Sequence, residues 1–228
     1  MNQTARRSNF PHPLTGAELD LVCTQVEAYY AAKLATHGAT PRGVDWSCTE
    51  TQWLRFAQLV RICPADKPFS LIDLGCGYGA LATFLAEHGS VANVEYLGLD
   101  LSSEMVRRGR RRYAGNPRVR FAVGRNVSQP SDYVVASGIM NVTLGFPLST
   151  WERFISTMLF DMHRMSKCGF AVNFLKKPGR QSQPGLLYCT TPRRWARFCE
   201  QNLGRSIEIL DSYGLQEFTL LARASNAI

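Results

Sequence analysis

The sequence lacks the features that would place it in a membrane or outside the cell. No segment approaches the roughly 18 consecutive apolar residues that a membrane-spanning helix needs. Arg6 and Arg7 are followed by no apolar stretch, so a signal peptide is not predicted. The seven cysteines are odd in number and never form a Cys-x-x-Cys pair, which argues against a disulfide framework or a zinc site. We therefore expect a cytoplasmic protein with no metal centre.

Charged residues are also scarce, at 19% of the chain against 45% hydrophobic residues. This balance excludes disorder, and 228 residues are enough to fold as one compact domain. The net charge is +8, and residues 103–125 carry +7 of it through eight arginines and a single acid, Glu104. Such a basic stretch can attract nucleic acid, anionic lipid or acidic ligands, while a simply solvated helix face is the alternative.

The apolar pattern changes at about residue 66. Residues 17–36 and a second segment from Thr49 have helical spacing, with Thr49 and Gln52 as a capping box, so residues 1–66 are predicted to form a helical N-terminal cap. From residue 69 onward, short apolar runs alternate with amphipathic helices, and two consecutive strands end the chain. Residues 67–228 are therefore predicted to form an α/β core, with cap and core making one compact domain. Its doubly wound, mostly parallel seven-stranded sheet has one antiparallel strand from a C-terminal hairpin.

The strongest local signal is a glycine-rich turn after the first predicted strand. It reads Asp73-Leu-Gly75-Cys76-Gly77-Tyr-Gly79 and leads into a helix. The first strand-to-helix turn of such a sheet is where nucleotide-like cofactors bind. The next strand ends at Asp100, and a carboxylate there can accept hydrogen bonds from both hydroxyls of a ribose. Together the two segments indicate an adenosine-containing cofactor.

The same glycines also satisfy the loose dinucleotide fingerprint, so an NAD(P)-dependent oxidoreductase is one alternative. Three features favour S-adenosylmethionine instead. Asp73 would repel a pyrophosphate but suits a ligand that carries a sulfonium and an ammonium group. The mostly helical segment before the glycines and the C-terminal hairpin also fit a fold that binds S-adenosylmethionine better than a dinucleotide-binding fold.

At this point the sequence resembles the class I S-adenosylmethionine-dependent methyltransferases of the small-molecule type, over roughly residues 69–223. The resemblance implies that the turn from Asp73 to Gly79, with Cys76 inside it, contacts the methionine part of the cofactor. It implies that Asp100 holds the ribose hydroxyls and that Leu101 lies against the adenine. It places Ser137 and Gly138 where the methionine end and the methyl acceptor meet.

The sequence departs from the family after the third strand. Many members have an acid there for the adenine amino group, whereas this chain reads Gly124-Arg125-Asn126. The adenine is therefore predicted to meet the side chain or backbone of Asn126. Purely structural roles stay open at three other positions: Asp73 as a helix cap, Asp100 as a cap of the helix near Ser102, and Cys76 as a small residue in a tight loop.

Residues at the carboxyl ends of the fourth and fifth strands, and aromatic residues in the cap, are the candidates for ligand contacts. Trp46 is assigned to the cofactor, and core packing stays open as the alternative for the aromatic cap residues, since aromatic residues on a helix are more often core. A polar loop over residues 176–185 suits a mobile lid. The substrate candidates are Tyr29, Tyr30, Asn141, Asn173 and Tyr188.

The predicted function is transfer of a methyl group from S-adenosylmethionine to an oxygen or nitrogen atom of a small metabolite or natural-product intermediate, with S-adenosylhomocysteine as the product. Because proximity and alignment can lower such a barrier by roughly 7–11 kcal/mol, no dedicated catalytic base is predicted. The alternative is an RNA methyltransferase that grips phosphate with the basic helix at residues 107–112. The pattern specifies neither the acceptor nor the oligomeric state.

Overall fold

A computed structural model of the chain describes residues 10–88, 93–177 and 186–225. The predicted lid over residues 176–185 lies largely outside the described residues, which resume at 186. The helices are α1 (Gly16–His37), α2 (Thr49–Leu59), α3 (Ala80–Glu87), α4 (Ser103–Arg112), α5 (Leu148–Met165) and α6 (Pro192–Leu203). The strands are β1 (Phe69–Leu74), β2 (Val94–Asp100), β3 (Val119–Val123), β4 (Ser131–Ala136), β5 (Ser166–Lys176), β6 (Cys189–Thr190), β7 (Arg205–Leu210) and β8 (Glu217–Ala224).

The predicted sheet is confirmed. Its strands lie in the order β3-β2-β1-β4-β5-β8-β7, with β1 to β5 parallel and β8 antiparallel to both of its neighbours. The order reverses beside β1, so the carboxyl ends of β1 and β4 diverge into helices on opposite faces, and a crevice opens there. An eighth strand, the two-residue β6, pairs with the end of β5 and was not predicted.

Two apolar clusters cover the two faces of the sheet. One face packs against α1, α5 and α6, around the fully buried rings of Trp151 and Trp195. The other packs against α2, α3 and α4, around Phe56 and Phe121. Side chains of β1 alternate between the clusters, with Ile72 in the first and Leu71 in the second, as the two-residue period of a strand requires. Burial on both faces explains why the core strands read as nearly continuous apolar runs.

Local capping agrees with the sequence at one helix and differs at another. The Ser102 side chain accepts a hydrogen bond from the Met105 N–H at the start of α4, as its position before an acid-containing first turn predicts. The predicted capping box at α2 is wrong, because Thr49 is already the first helical residue and Cys48 occupies the capping position. The Thr51 hydroxyl instead donates to the Cys48 carbonyl.

Within the described part of the chain, no helix is long and apolar enough to cross a membrane. All seven cysteines lie in that part and are unpaired there. No group of three or more metal-ligating side chains occurs among the described residues. The cytoplasmic location stays a prediction.

Candidate functional site

A deep cavity lies at the carboxyl ends of β1, β2 and β4, where the strand order reverses. It holds about 970 Å³ of empty space, including solvent at its mouth. Its floor is the turn between β1 and α3, and its roof comes from α1, the segment before α2, and α2 itself. Most of its wall is apolar, with carboxylates set into it, which is typical of a site for a small ligand with cationic and hydroxyl groups.

Asp73 is the last polar residue of β1 and is almost fully buried in the cavity wall. Its carboxylate accepts a hydrogen bond of 2.6 Å from the Tyr96 hydroxyl on β2. Burial raises the pKa of Asp73 from 3.8 to about 7, with the Tyr96 hydrogen bond opposing and the nearby Asp100 adding to the rise. A carboxylate held in this way gains most from a cationic ligand, because the cation replaces the water lost on burial. Asp73 does not cap α3, whose capping residue is Gly79.

Asp100 ends β2 and organises the loops on both sides of the cavity. One carboxylate oxygen accepts the Gly77 N–H at 2.8 Å, and the other accepts the Ser102 N–H at 2.9 Å. Burial raises the pKa of Asp100 while these backbone hydrogen bonds lower it. Each carboxylate oxygen keeps a further acceptor position, so Asp100 can brace the loop before α4 and still accept ribose hydroxyls.

The glycine turn fits closely against its surroundings. Gly75 has a φ of +74°, and a Cβ atom there would overlap the Ile139 side chain. The N–H groups of Gly75 and Cys76 both donate to the Leu99 carbonyl, at 2.7 and 3.0 Å. Burial raises the pKa of the Cys76 thiol well above its ordinary value, which keeps it protonated and gives it no nucleophilic role. The turn therefore presents backbone rather than side chains to the cavity.

The cap folds over this floor through the turn that contains Trp46. Asp45 accepts a hydrogen bond from the Tyr29 hydroxyl at 2.7 Å and pairs with Lys33 at 2.7 Å, which ties the turn to α1. The Trp46 indole lies against Gly138, where a Cβ atom would overlap the ring. Trp46 thereby closes the cavity beside the end of β4.

The cavity brings together most of the predicted cofactor residues. It is lined by Trp46, Asp73, Gly75, Cys76, Gly77, Asp100, Leu101, Ser137 and Gly138. Gly79 lies just outside the lining, against the Phe121 ring, and Asn126 is exposed beyond the wall, which Gly124 and Arg125 form instead. Contact of each of these residues with the cofactor stays a prediction.

The predicted substrate residues divide. Tyr30 lines the cavity, whereas Tyr29 is engaged with Asp45. Asn141, Asn173 and Tyr188 do not line it. Tyr188 is buried and donates its hydroxyl to Glu152 at 3.1 Å, and the Asn173 amide bonds within the protein. The geometry therefore gives Asn173 and Tyr188 internal hydrogen bonds, and their contact with the substrate stays a prediction.

Several lining residues carry no signal in the sequence. Glu27 on α1 faces Asp100 closely enough to raise the pKa of that carboxyl. Phe154 and Met158 of α5 and Met105 of α4 are further apolar residues that line the cavity. The heptad-like stripe of α5 could not distinguish these residues from core, since a cavity wall and a core have the same periodicity.

Three arginines of the arginine-rich α4 form contacts within the protein. Arg107 and Arg108 both pair with Glu104, and the Arg110 Nε donates to the Phe121 carbonyl at 2.9 Å. Arg111 and Arg112 line a separate surface groove, which touches the main cavity at one shared wall residue, Tyr78.

We predict that Gly138→Ala weakens binding of S-adenosylhomocysteine by about tenfold or more, because the added methyl displaces Trp46 as well as straining the backbone. Gly145→Ala is the matched control, because Gly145 has nearly the same φ, +80° against +81°, but open space around its Cβ position. Titration calorimetry on both variants measures the difference. Equal affinities in the two variants would show that the packing of Trp46 on Gly138 does not contribute to binding.

The fold and the cavity define a class of protein. A doubly wound sheet with one reversed strand carries an acid-flanked glycine turn and a second acid at the end of the next strand, which is the arrangement of a protein that binds an adenosine-containing cofactor.

The comparisons with known proteins identify the family. Residues 71–167 match the model of the methyltransferase domain family. The chain is 36% identical over 168 residues to a protein of Mycobacterium tuberculosis (strain ATCC 25618 / H37Rv) named "Putative methyltransferase Rv1506c", covering 73% of this chain and 100% of that protein. The chain belongs to the class I S-adenosylmethionine-dependent methyltransferases.

Solved structures agree with this fold. Magnesium protoporphyrin IX methyltransferase from Synechocystis PCC 6803, crystallised with S-adenosylmethionine, superposes with a TM-score of 0.59 at 16% identity over 92% of this chain and 100% of its own. Phosphoethanolamine N-methyltransferase 2 of Haemonchus contortus superposes with a TM-score of 0.60 at 13% identity over 86% of this chain and 60% of its own.

Proposed function

We propose that this methyltransferase transfers the methyl group to an oxygen or nitrogen atom of a small molecule inside the capped cavity. The observation that carries the proposal is the roof over the cofactor residues: Tyr30, Trp46 and Phe56 all line the cavity from the N-terminal cap. A cavity covered in this way favours a small acceptor over a folded macromolecule. The two structurally similar enzymes described above are named after small-molecule substrates.

The residues present fit the cofactor. Asp73, which is buried, and Asp100, which is half-buried, supply acceptors for cationic and hydroxyl groups, and the glycine turn leaves space that side chains would fill. The Ser137 hydroxyl is a buried polar atom without a protein partner among the described residues. Such an orphan next to the end of β4 is well placed to bond the methionine end of a ligand.

The bound cofactor supplies a methyl group on a positively charged sulfur, which makes the sulfur a good leaving group. The chain's own contribution is to hold and align. Asp73 and Ser137 orient the methionine end, Asp100 holds the ribose, and the apolar wall of Leu101, Met105 and Phe154 packs against the adenine. Trp46 and Tyr30 exclude water from the methyl position. Tyr30 does not act as a base, because burial raises its pKa and leaves it a neutral phenol.

The acceptor is identified by incubating the protein with isotope-labelled S-adenosylmethionine and either a metabolite extract or total RNA, followed by mass spectrometry. We expect label in a small molecule and none in RNA. Label in RNA that disappears when Arg110, Arg111 and Arg112 are neutralised would instead support the basic helix as a phosphate grip.

We predict that Asp100→Ala weakens binding of S-adenosylhomocysteine by roughly 1.5–3 kcal/mol, the scale of hydrogen bonds to a charged group. Asp132→Ala is the matched control, because Asp132 also accepts a backbone hydrogen bond, from Ser70 at 2.8 Å, but lies at the amino ends of the strands. Calorimetry compares the two variants. An unchanged dissociation constant for Asp100→Ala would remove Asp100 from the cofactor site.

A further inference from the structure

A buried ring of contacts surrounds the end of β4. Asn173 on β5 accepts a hydrogen bond from the Gly138 N–H at 2.8 Å and donates its amide to Glu217 on β8 at 3.1 Å. Glu217 accepts two hydrogen bonds from the Arg55 Nε, at 2.9 and 2.8 Å. The Arg55 guanidinium lies over the Trp46 ring, 4.0 Å from its centroid, and Trp46 packs against Gly138. The contacts therefore form a closed circuit through five residues.

The three polar side chains of the circuit are shielded from water, and Trp46 is half-buried. Asn173, Glu217 and Arg55 are only 0%, 2% and 8% exposed. A buried ion pair is a poor way to gain stability, because desolvation of the two charges offsets most of their attraction. The pair instead fixes orientation, because the planar guanidinium group of Arg55 and the carboxylate of Glu217 hold each other in one relative geometry. Arg55 and Glu217 are 162 residues apart and join the cap to the far half of the sheet.

We propose that Arg55, Glu217 and Asn173 are positioning residues that hold the Ser137–Gly138 turn and Trp46 in the geometry that binds the methionine end of the cofactor. The proposal rests on the proposed cofactor contacts of Ser137, Gly138 and Trp46. Asn173 fixes the turn from inside the sheet through the Gly138 N–H. Arg55 fixes Trp46 from the cap, and Trp46 packs against the same glycine.

One consequence is that the Ser137 hydroxyl remains available to a ligand. The Asn173 amide accepts from the Gly138 N–H and donates to Glu217, and neither of these hydrogen bonds involves the Ser137 hydroxyl. The hydroxyl itself has no protein partner among the described residues. The circuit thus holds the Ser137 hydroxyl at the cavity wall without forming a hydrogen bond to it.

The first test compares two buried arginines. Arg205 on β7 is 7% exposed and donates to the His163 ring at 3.0 Å and to the Ser166 carbonyl at 2.9 Å, away from the cavity. Arg55→Lys and Arg205→Lys each keep the charge but lose the planar fork, so both should lower the melting temperature. Only Arg55→Lys should weaken binding of S-adenosylhomocysteine, by about tenfold or more. Calorimetry is done at a temperature where circular dichroism shows both variants folded. An unchanged affinity in Arg55→Lys overturns the proposal.

The second test moves the negative charge along the circuit. Asn173→Asp places two carboxylates side by side, and Glu217→Gln leaves Arg55 without a counter-charge, so each alone should weaken binding about tenfold or more. In the double variant, the new carboxylate at 173 accepts from Gly138 and from the new amide at 217, whose oxygen accepts from Arg55. Affinity should return to within about threefold of the wild type, which a loss of packing alone would not produce. A double variant no better than the weaker single variant overturns the proposal.

Wrong cofactor contacts and a wrong positioning role would give different binding results. If the wild-type protein does not bind S-adenosylhomocysteine, the proposed cofactor contacts are wrong. If the wild type binds and the circuit variants bind equally well, the contacts stand and only the positioning role is wrong. If the variants at positions 173 and 217 do not fold, the comparison of Arg55→Lys with Arg205→Lys decides.

Discussion

Asp73→Asn is expected to make the protein more stable and to abolish tight cofactor binding. In the free protein the buried carboxylate lacks a cationic partner among the described residues, and burial raises its pKa from 3.8 to about 7. An amide of the same shape carries no charge to desolvate and still accepts the Tyr96 hydroxyl. The same change removes the anion that faces the sulfonium and ammonium groups, so binding should weaken on the order of 100-fold.

The stability gain depends on pH in a defined direction. Between about pH 4 and pH 7 the folded protein binds more protons at Asp73 than the unfolded chain does, so the wild type loses stability as pH rises through this window. Asp73→Asn removes that loss. The variant should be more stable than the wild type by about 1–3 kcal/mol at pH 8 and nearly equal to it at pH 4. Denaturant unfolding at the two pH values measures the difference.

An opposite result is easily recognised. If Asp73→Asn destabilises the protein at pH 8 while leaving the affinity for S-adenosylmethionine unchanged, Asp73 is a structural acid and not a cofactor ligand. Asp132→Asn serves as the control, because Asp132 is an acid of the same sheet, beyond the cavity lining, whose pKa is lowered by its Ser70 hydrogen bonds. That variant should lose stability and keep its affinity.

The affinity for S-adenosylmethionine is expected to rise with pH up to about 7 and then level off. A cationic ligand binds the ionised carboxylate, so below the pKa of Asp73 each bound cofactor must displace a proton. Affinity should fall by up to tenfold for each pH unit below 7, and calorimetry in two buffers should detect proton release. Asp100 adds to the same trend, since its pKa is also raised and Glu27 faces it.

Tyr96→Phe provides the matched control for this pH dependence. The Tyr96 hydrogen bond lowers the pKa of Asp73, so its removal should move the midpoint of the affinity curve to higher pH without changing the plateau. A pH-independent affinity between pH 5.5 and 7.5, or a midpoint that moves down in Tyr96→Phe, would contradict the assignment of Asp73 as the titrating group.

Much of the fold could be predicted because each core strand is followed by a turn with its own signal. The glycine turn after β1 and the acid at the end of β2 predict a crevice at the point where the strand order reverses, and the cavity lies there. The two-residue β6 could not be predicted, because Cys189 and Thr190 are in a strand only through their pairing with the end of β5.

The site was harder to predict where contacts join distant parts of the chain. Arg55 and Glu217 carry no motif, and only the topology brings α2 beside β8. Asn173 was assigned to the substrate because it lies near the carboxyl end of the fifth strand, and the sequence did not reveal its hydrogen bonds to Gly138 and Glu217. Periodicity predicts which face of an element is buried, and it does not identify the side chains beyond that face.

A crystal structure of the complex with S-adenosylhomocysteine shows whether Asp73 and Asp100 hold the cofactor. We expect the ligand in the cavity between β1, β2 and the cap, with the ribose hydroxyls within hydrogen-bonding distance of Asp100 and the amino group near Asp73 and Ser137. A ligand bound elsewhere, with both carboxylates facing solvent, would contradict this expectation.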